Sequence, residues 1–441
     1  MTAYARASCL LVAVFAAAAA FGQQAQPVLR ANSTAVDIRD GGWLLKGDWV
    51  LDPAVALDVY DARRTTEEKR VTFITDVDSM SFDVRPGHTY DFVILLNGKD
   101  ACRTRISTMT QSYRRLEARP TAGPDTIPIS IRHGKMHLQG NINDSQVLDF
   151  IFDTGANICA LYPSAMRKGA RLQFDGATKN SGTGGTTTRQ TSSDARLEIA
   201  GLRWDHEPVM YIEKQADRAA DGIVGYSVFE GKVVEIDWDR MVMIVHETLP
   251  AHAAGFARTP MPFAGSLPAV EAVLVKGVKR DSGLFVLDTG GTGAMIVNQA
   301  FAAAHDLHGS MKKLSTGVSR GVGAAGIRNH LLLLPQLTLA GFALPNVPIN
   351  VELPSSSNAA PPGGVLCMEV LRRFNTILDF QGHEAYFKPN TSYNASFKAR
   401  VSGPPSSVIV GIAVAAIVSF AGLVLLRERR RRSPRAVRPA S

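Results

Sequence analysis

Between residues 28 and 119 the apolar positions fall in short runs, alternating or β-branched: TAVDI, WVLD, ALDVY, RVTFITDV, SMSFDV and TYDFVILL. The turn-forming stretches RDGG, RPGH and NGKD separate them. Period-two alternation bounded by Gly, Pro, Asn and Asp predicts strands joined by tight turns. Residues 28–119 are therefore read as a small β-sandwich-like accessory domain, with charged residues such as Asp40, Arg63 and Glu67 on its solvated surface. SYRRLEARPTAGPD reads as a linker. From Asp125 onward the strand pattern resumes with the apolar runs VLDFIF, ICALY, LFVL and AMIV. Helical stretches are few and short: PSAMRKGA, and NQAFAAAHDL with Asn298 placed as its N-cap. The pattern predicts an all-β chain.

The two ends break this pattern. One Arg precedes an apolar run from Cys9 to Phe21, followed by small residues and a Gln-rich exit, which reads as a signal peptide over residues 1–22. At the other end Val408–Leu426 gives nineteen residues without a charge, followed at once by RERRRR. That length spans a bilayer, and the Arg cluster belongs on its cytoplasmic side. The expected order is then a linker at 391–407, a transmembrane helix at 408–426 and a basic cytoplasmic tail at 427–441. The body would lie outside the cytoplasm, anchored in the cytoplasmic membrane.

Charge follows the same division. The formal net charge is +8, but residues 427–441 alone hold seven Arg against one Glu. The body is near neutral, which gives no basis for nucleic-acid binding. Past the signal peptide only Cys102, Cys159 and Cys367 remain, an odd and small number that excludes a disulfide framework. They are expected as buried free thiols.

The body repeats itself. LDFIFDTGANICALY, with Asp153, is echoed by GLFVLDTGGTGAMIV, with Asp288, 135 positions later. Each Asp-Thr-Gly follows an apolar strand and precedes a second apolar run and a short helix. Further on, DGIVGYSVFEGKVVEIDWDRMVMIVH matches GGVLCMEVLRRFNTILDFQGHEAYFK, and twelve positions separate Gly225 from Asp237 as they do Cys367 from Asp379. A repeat of this length is too long for a solenoid unit and fits two copies of one small domain.

Two halves of this kind resemble the aspartic proteases. DTGA with DGIVG is closer to the retroviral-type (retropepsin-like) and bacterial branch than to the pepsin branch. The resemblance covers about residues 125–390 and implies two pseudo-symmetric, closed β-barrel-like lobes, at 125–250 and 255–390. It implies an aspartic endopeptidase that hydrolyses peptide bonds with a water activated by Asp153 and Asp288, two carboxyls sharing one proton. Thr154 and Thr289 would lock the two loops. Gly155 and Gly290 would let the backbone donate to the carboxyls. Ile223, Val224 and Gly225, and Val365, Leu366 and Cys367, would cross behind them. The glycine-rich stretches NSGTGGTTTRQ and SRGVGAAGIRN, with Gly182, Gly184, Gly185, Gly321 and Gly323, would be flaps over a cleft, or ordinary surface loops. No metal and no cofactor are implied. The partner is a peptide or protein substrate, and one chain carrying both lobes is expected as a monomer.

Two departures stand out. Cys367 occupies a position where the family has Gly, so the second loop is expected to shift. Ala156 and Gly291 follow the triplets where pepsin-like enzymes have a hydroxyl, which should leave the carboxyl pKa values higher and the working pH weakly acidic to neutral.

Rival motifs lack their context. Gly321, Gly323 and Gly326 spell G-x-G-x-x-G without a preceding strand or a following helix. Gly317, Ser319 and Gly321 spell a serine-hydrolase elbow without the strand-turn-helix setting. The His-Glu pairs at His206, His246 and His383 have no second His four positions on, so no zinc-protease motif is present. Trp204 and Trp238 are expected in the core. A different reading keeps the fold and discards the chemistry: a catalytically inactive bilobal peptide-binding or structural module, for which the departure at Cys367 speaks.

Overall fold

The computed structural model describes residues 26–397, apart from 42, 63–67, 109–112, 117–122, 183–184, 265, 320–325 and 354–362. The expected signal peptide, the apolar segment Val408–Leu426 and the basic tail lie outside the described residues. Among the described residues no helix is long and apolar enough to cross a membrane. Strands dominate, and the longest helix described is Gln299–Ala304, whose N-cap Asn298 accepts the Phe301 amide at 2.8 Å. The chain is all-β.

Two facing sheets build the N-terminal unit. In one, Ala35–Asp40 lies between Trp43–Val50 and Lys69–Ile74, with Ser79–Val84 beyond. In the other, Val28–Ala31, Thr89–Leu96, Asp100–Ser107 and Asp58–Asp61 run side by side. Their inward side chains form one core, with Phe73 and Phe92 edge to face at 4.9 Å. Asp40, expected on the surface, is instead 1% exposed. It is held there by the Tyr60 hydroxyl at 2.9 Å and the Lys69 ammonium at 2.5 Å, since a buried carboxylate needs partners to offset its desolvation. Arg63 and Glu67 lie outside the described residues.

The stretch expected as a linker is partly tied down. Arg114–Arg115 pairs antiparallel with Leu202 and Arg203. Asp125, 1% exposed, draws this stretch in: its carboxylate takes a two-pronged bond from Arg115 at 2.8 and 2.9 Å and the Tyr113 hydroxyl at 2.7 Å.

Beyond it the same topology occurs twice. In the first half Leu148–Asp153 lies antiparallel to Lys135–Ile142 and parallel to Gly222–Gly225, which pairs on its other side with Cys159–Leu161. In the second, Lys279–Asp288 lies antiparallel to Leu267–Lys276 and parallel to Gly364–Cys367, which pairs with Met295–Val297. The registers correspond: Asp153 faces Gly225, and Asp288 faces Cys367. The matched tails meet in a six-stranded antiparallel sheet, where Val233–Asp237 of the first half lies against Phe374–Asp379 of the second. One apolar core runs through both halves and takes in Trp204 and Trp238 as expected.

The N-terminal unit and the first half share a sheet edge. Ala177 pairs with Asp58, and its amide donates to the Leu57 carbonyl at 2.9 Å. The strand so held, Gly176–Gly182, is the first arm of a hairpin whose second arm is Gly185–Ile199.

Candidate active site

Each Asp-Thr-Gly sits where a buried strand ends and the chain must turn. Phe150 and Phe152, and Phe285 and Leu287, are buried and fix the strands. The next residues, Asp153 and Asp288, then emerge side by side at the junction of the halves. Four hydrogen bonds cross between the two loops. The Thr154 hydroxyl donates to the Leu287 carbonyl at 2.6 Å and accepts the Thr289 amide at 3.1 Å; the Thr289 hydroxyl donates to the Phe152 carbonyl at 2.7 Å and accepts the Thr154 amide at 3.0 Å. Both threonines are buried, so every donor and acceptor in the crossing is used inside the protein.

The crossing presses the carboxyls together. They lie against each other: a Cβ on Gly155 would stand 3.0 Å from Asp288 Cγ and 3.1 Å from Asp153 Oδ1. The Gly155 amide donates to Asp153 Oδ1 at 2.8 Å, and the Gly290 amide donates into the pair. Each glycine faces the opposite carboxyl: a Cβ at Gly155 would lie 3.0 Å from Asp288 Cγ, and one at Gly290 would overlap the Asp153 carboxyl. Asp153 and Asp288 keep partial exposure as residues. The dense protein around them nevertheless raises both pKa values, burial being the largest cause. Asp288 is raised well above the ordinary carboxyl value, since the Asp153 charge adds to burial. Asp153 is raised less, because the Gly155 amide, the Asp288 carboxyl and the Lys135 ammonium favour its ionised form. Of the two, Asp153 is thus favoured as the ionised member and Asp288 as the one that keeps a proton.

Behind the loops the expected crossings are present: Ile223, Val224 and Gly225 pair with Ile151, Phe152 and Asp153, and Val365, Leu366 and Cys367 with Val286, Leu287 and Asp288. The expected shift of the second loop is absent. The Met368 amide donates to the Gly291 carbonyl at 3.1 Å, as the Tyr226 amide does to the Ala156 carbonyl at 3.0 Å. Sterics explain how the cysteine fits. A Cβ on Gly225 would lie 2.7 Å from the Ala156 carbonyl oxygen and 2.9 Å from the Ile158 nitrogen, all backbone that cannot give way. In the second half the position matching Ala156 is Gly291, and the Cys367 sulfur lies 2.8 Å from where its Cβ would be. The absence of a side chain at Gly291 thus leaves room for the Cys367 sulfur. The signal was legible in the sequence as an Ala156/Gly225 pair exchanged for Gly291/Cys367. Buried beside two carboxyls, the Cys367 thiol has its pKa pushed well up, first by burial and then by Asp288, so it stays protonated and inert.

Of the expected flap residues, Gly182 and Gly185 face each other at the end of a hairpin, while Gly184, Gly321 and Gly323 lie outside the described residues. The second glycine-rich stretch joins the paired strands Lys312–Ser319 and Ile327–Leu339. Two residues missed by sequence reasoning, Lys135 and Tyr162, act on Asp153 or feel its charge, and a third, Asp217, stands behind Lys135. Lys135 is ion-paired with Asp217 at 2.9 Å, and Tyr162 is buried, its pKa raised first by burial and then by the Asp153 charge. Among the described residues no group of His, Cys, Asp and Glu could hold a metal ion.

Residues 138–228 match the family model described as "Aspartyl protease". This stretch contains Asp153 and the Gly225 crossing, and the match bears out the resemblance that the paired triplets carry. Among solved structures the chain is similar to the aspartic proteinase from Irpex lacteus, at 11% identity and a TM-score of 0.43, over 63% of this chain and 100% of that one. No curated protein matches the chain.

The exchange of glycines makes a prediction about stability. Gly225→Ala must displace backbone and should cost about 2–3 kcal/mol, whereas Cys367→Gly removes one small buried side chain and should cost about 1–2 kcal/mol. Denaturant midpoints of the two variants measure the difference; equal losses would mean that the two crossings are sterically alike.

Proposed function

We propose that this chain is an aspartic endopeptidase in which Asp153 and Asp288 form one shared catalytic dyad. The resemblance to the aspartyl proteases gives the reaction class, a peptide-bond hydrolase, and the observation that carries the rest is the pair of adjacent carboxyls clamped by the crossed threonines. Ionised Asp153 would take a proton from a water as it attacks the scissile carbonyl carbon. Protonated Asp288 would donate to the carbonyl oxygen and stabilise the tetrahedral intermediate. That intermediate collapses by breaking the C–N bond, with a proton passing to the leaving amine. Asp153 hands the water's proton to the leaving nitrogen and Asp288 recovers its own from the intermediate's hydroxyl, so the pair again holds one proton; water is the nucleophile, so no acyl-enzyme forms. The substrate is an extended peptide or protein segment, with the two glycine-rich hairpins as flaps closing on it through main-chain bonds.

The charge-free segment Val408–Leu426 followed by Arg427 and Arg429–Arg432 supports an anchored protein, with the protease body outside the cytoplasmic membrane and the tail inside. Both halves of the dyad are on one chain, which supports a monomer acting as an intramolecular pseudo-dimer. The inactive-module reading loses its ground at Cys367, which is accommodated without displacing the second loop.

Asp153→Asn and Asp288→Asn should each lower kcat/KM on a peptide library by about a thousandfold or more, while the fold, read by circular dichroism, stays intact. Full activity in either variant refutes the shared site. The pH dependence follows from the directions of the two pKa values. Activity appears as Asp153 ionises, above the ordinary carboxyl value because its pKa is raised, and disappears as Asp288 loses its proton, well above that value. The kcat/KM profile should therefore be a bell centred at weakly acidic to neutral pH; a maximum below about pH 3 contradicts it.

A further inference from the structure

The strand Lys135–Ile142 pairs with Leu148–Asp153 so that His137 stands opposite Ile151 and Gln139 opposite Asp149. Extending this antiparallel register by two residues brings Lys135 opposite Asp153. Alternation then sets Lys135 and His137 on the face that carries Asp149, Ile151 and Asp153. The end of the strand is pinned close to the second triplet, because the Met136 amide donates to the Thr289 carbonyl at 3.4 Å. The Lys135 side chain is not free to swing into solvent. It is 23% exposed, and its ammonium is held at 2.9 Å by Asp217 Oδ2. Asp217 is itself fixed: its Oδ1 accepts the Ala219 amide at 2.8 Å and lies 3.5 Å from His133 Nδ1.

The geometry points to Lys135 as a positioning residue that makes Asp153, rather than Asp288, the ionised member of the pair, with Asp217 as the counter-ion that sets how strongly it does so. This inference rests on the dyad proposed above. The two triplets are near-symmetric, sharing Asp-Thr-Gly and the crossed threonines. A proton shared between equivalent carboxyls has no fixed address unless something outside the symmetry decides. Lys135 is such a group, because the strand at the matching place in the second half, Leu267–Lys276, runs into Asp288's strand with Ala269 opposite Val286 and apolar or neutral residues at its near end. The charged and titratable groups about Asp153 come from four directions. They are Asp288 across the junction, Lys135 on the neighbouring strand, Tyr162 after the strand Cys159–Leu161, and Cys367 on the opposite crossing strand, with Asp217 behind Lys135 as its ion-pair partner. Tyr162 and Cys367 have their pKa values raised and stay neutral, so Lys135 is the one cation in the set. His137, on the same face, is fully buried, and burial lowers its pKa, so it adds no charge at neutral pH.

The consequence for catalysis is a division of labour fixed before substrate arrives. Asp153 takes the water's proton and Asp288 donates to the carbonyl in every turnover. Without Lys135 the two roles become more nearly degenerate, and the lower of the two ionisations moves up.

The test is the pH profile of kcat/KM in three variants of the full chain. Lys135→Met should move the acid limb up by about 0.5–1 pH unit, a three- to tenfold loss at a fixed pH on that limb. Lys135→Arg should restore the limb. Asp217→Asn, which keeps an oxygen for the Ala219 amide but removes the charge that offsets Lys135, should move the limb down. A merely structural role would lower the height of the profile without moving its limbs, and would not give opposite signs for the two substitutions. An acid limb that stays in place in both Lys135→Met and Asp217→Asn overturns the inference while leaving the dyad intact. If the wild-type chain cleaves no peptide, the dyad reading has failed instead. Titration of the labelled Asp153 and Asp288 carboxyls by carbon NMR in the same variants then decides about Lys135, with shifts of the same two signs supporting the inference and no shift overturning it.

Discussion

The crossed hydrogen bonds of Thr154 and Thr289 are the constraint on which the rest of the site depends. Each hydroxyl reaches over the junction to the backbone preceding the other carboxyl, so neither loop can move without breaking bonds in both halves. Two carboxyls packed this closely repel when both are charged, and only a rigid, water-poor frame can hold them in contact. Burial of the strands on both sides, the fused apolar core and the six-stranded sheet that joins the tails together provide that frame. The crossing therefore converts packing energy into a raised pair of pKa values, and those values set the chemistry that the pair can do.

The two halves are copies in topology without being copies in detail, and the differences follow from sterics and charge. At the crossings the two halves differ: Gly225 sits against the backbone of Ala156 and Ile158, which leaves no room for a Cβ, whereas the Cys367 sulfur occupies the space that a Cβ on Gly291 would need. Around the carboxyls the symmetry is broken more deeply. Lys135 and Asp217 belong to the first half, and they bias a pair that the backbone alone would leave nearly equivalent.

Much of this was legible in the sequence. The two Asp-Thr-Gly triplets, the equal spacings to the tails and the alternation of apolar residues mark strand ends that recur, and strand periodicity is a local property that survives without tertiary information. The N-cap at Asn298 and the buried thiols are local in the same sense. What the sequence hid depends on contacts between distant segments. Asp40 reads as a surface charge until Tyr60 and Lys69 are brought to it. SYRRLEARPTAGPD reads as a linker until Asp125 gathers Tyr113 and Arg115. Lys135 is eighteen positions before Asp153, and only the hairpin register, extended two residues beyond His137 and Ile151, sets the two opposite each other. Cys367 looked like a fault because the compensating Gly291 lies 76 positions earlier, and a position-by-position reading treats the two as independent.

The central claim is that Asp153 and Asp288 act as one unit. A double-mutant cycle in kcat/KM measures that directly. If the two carboxyls share a single proton and a single water, Asp153→Asn and Asp288→Asn each remove the whole of the catalysis, and the double variant is no slower than either alone. Losses that multiply in the double variant would show two independent groups and would contradict the account.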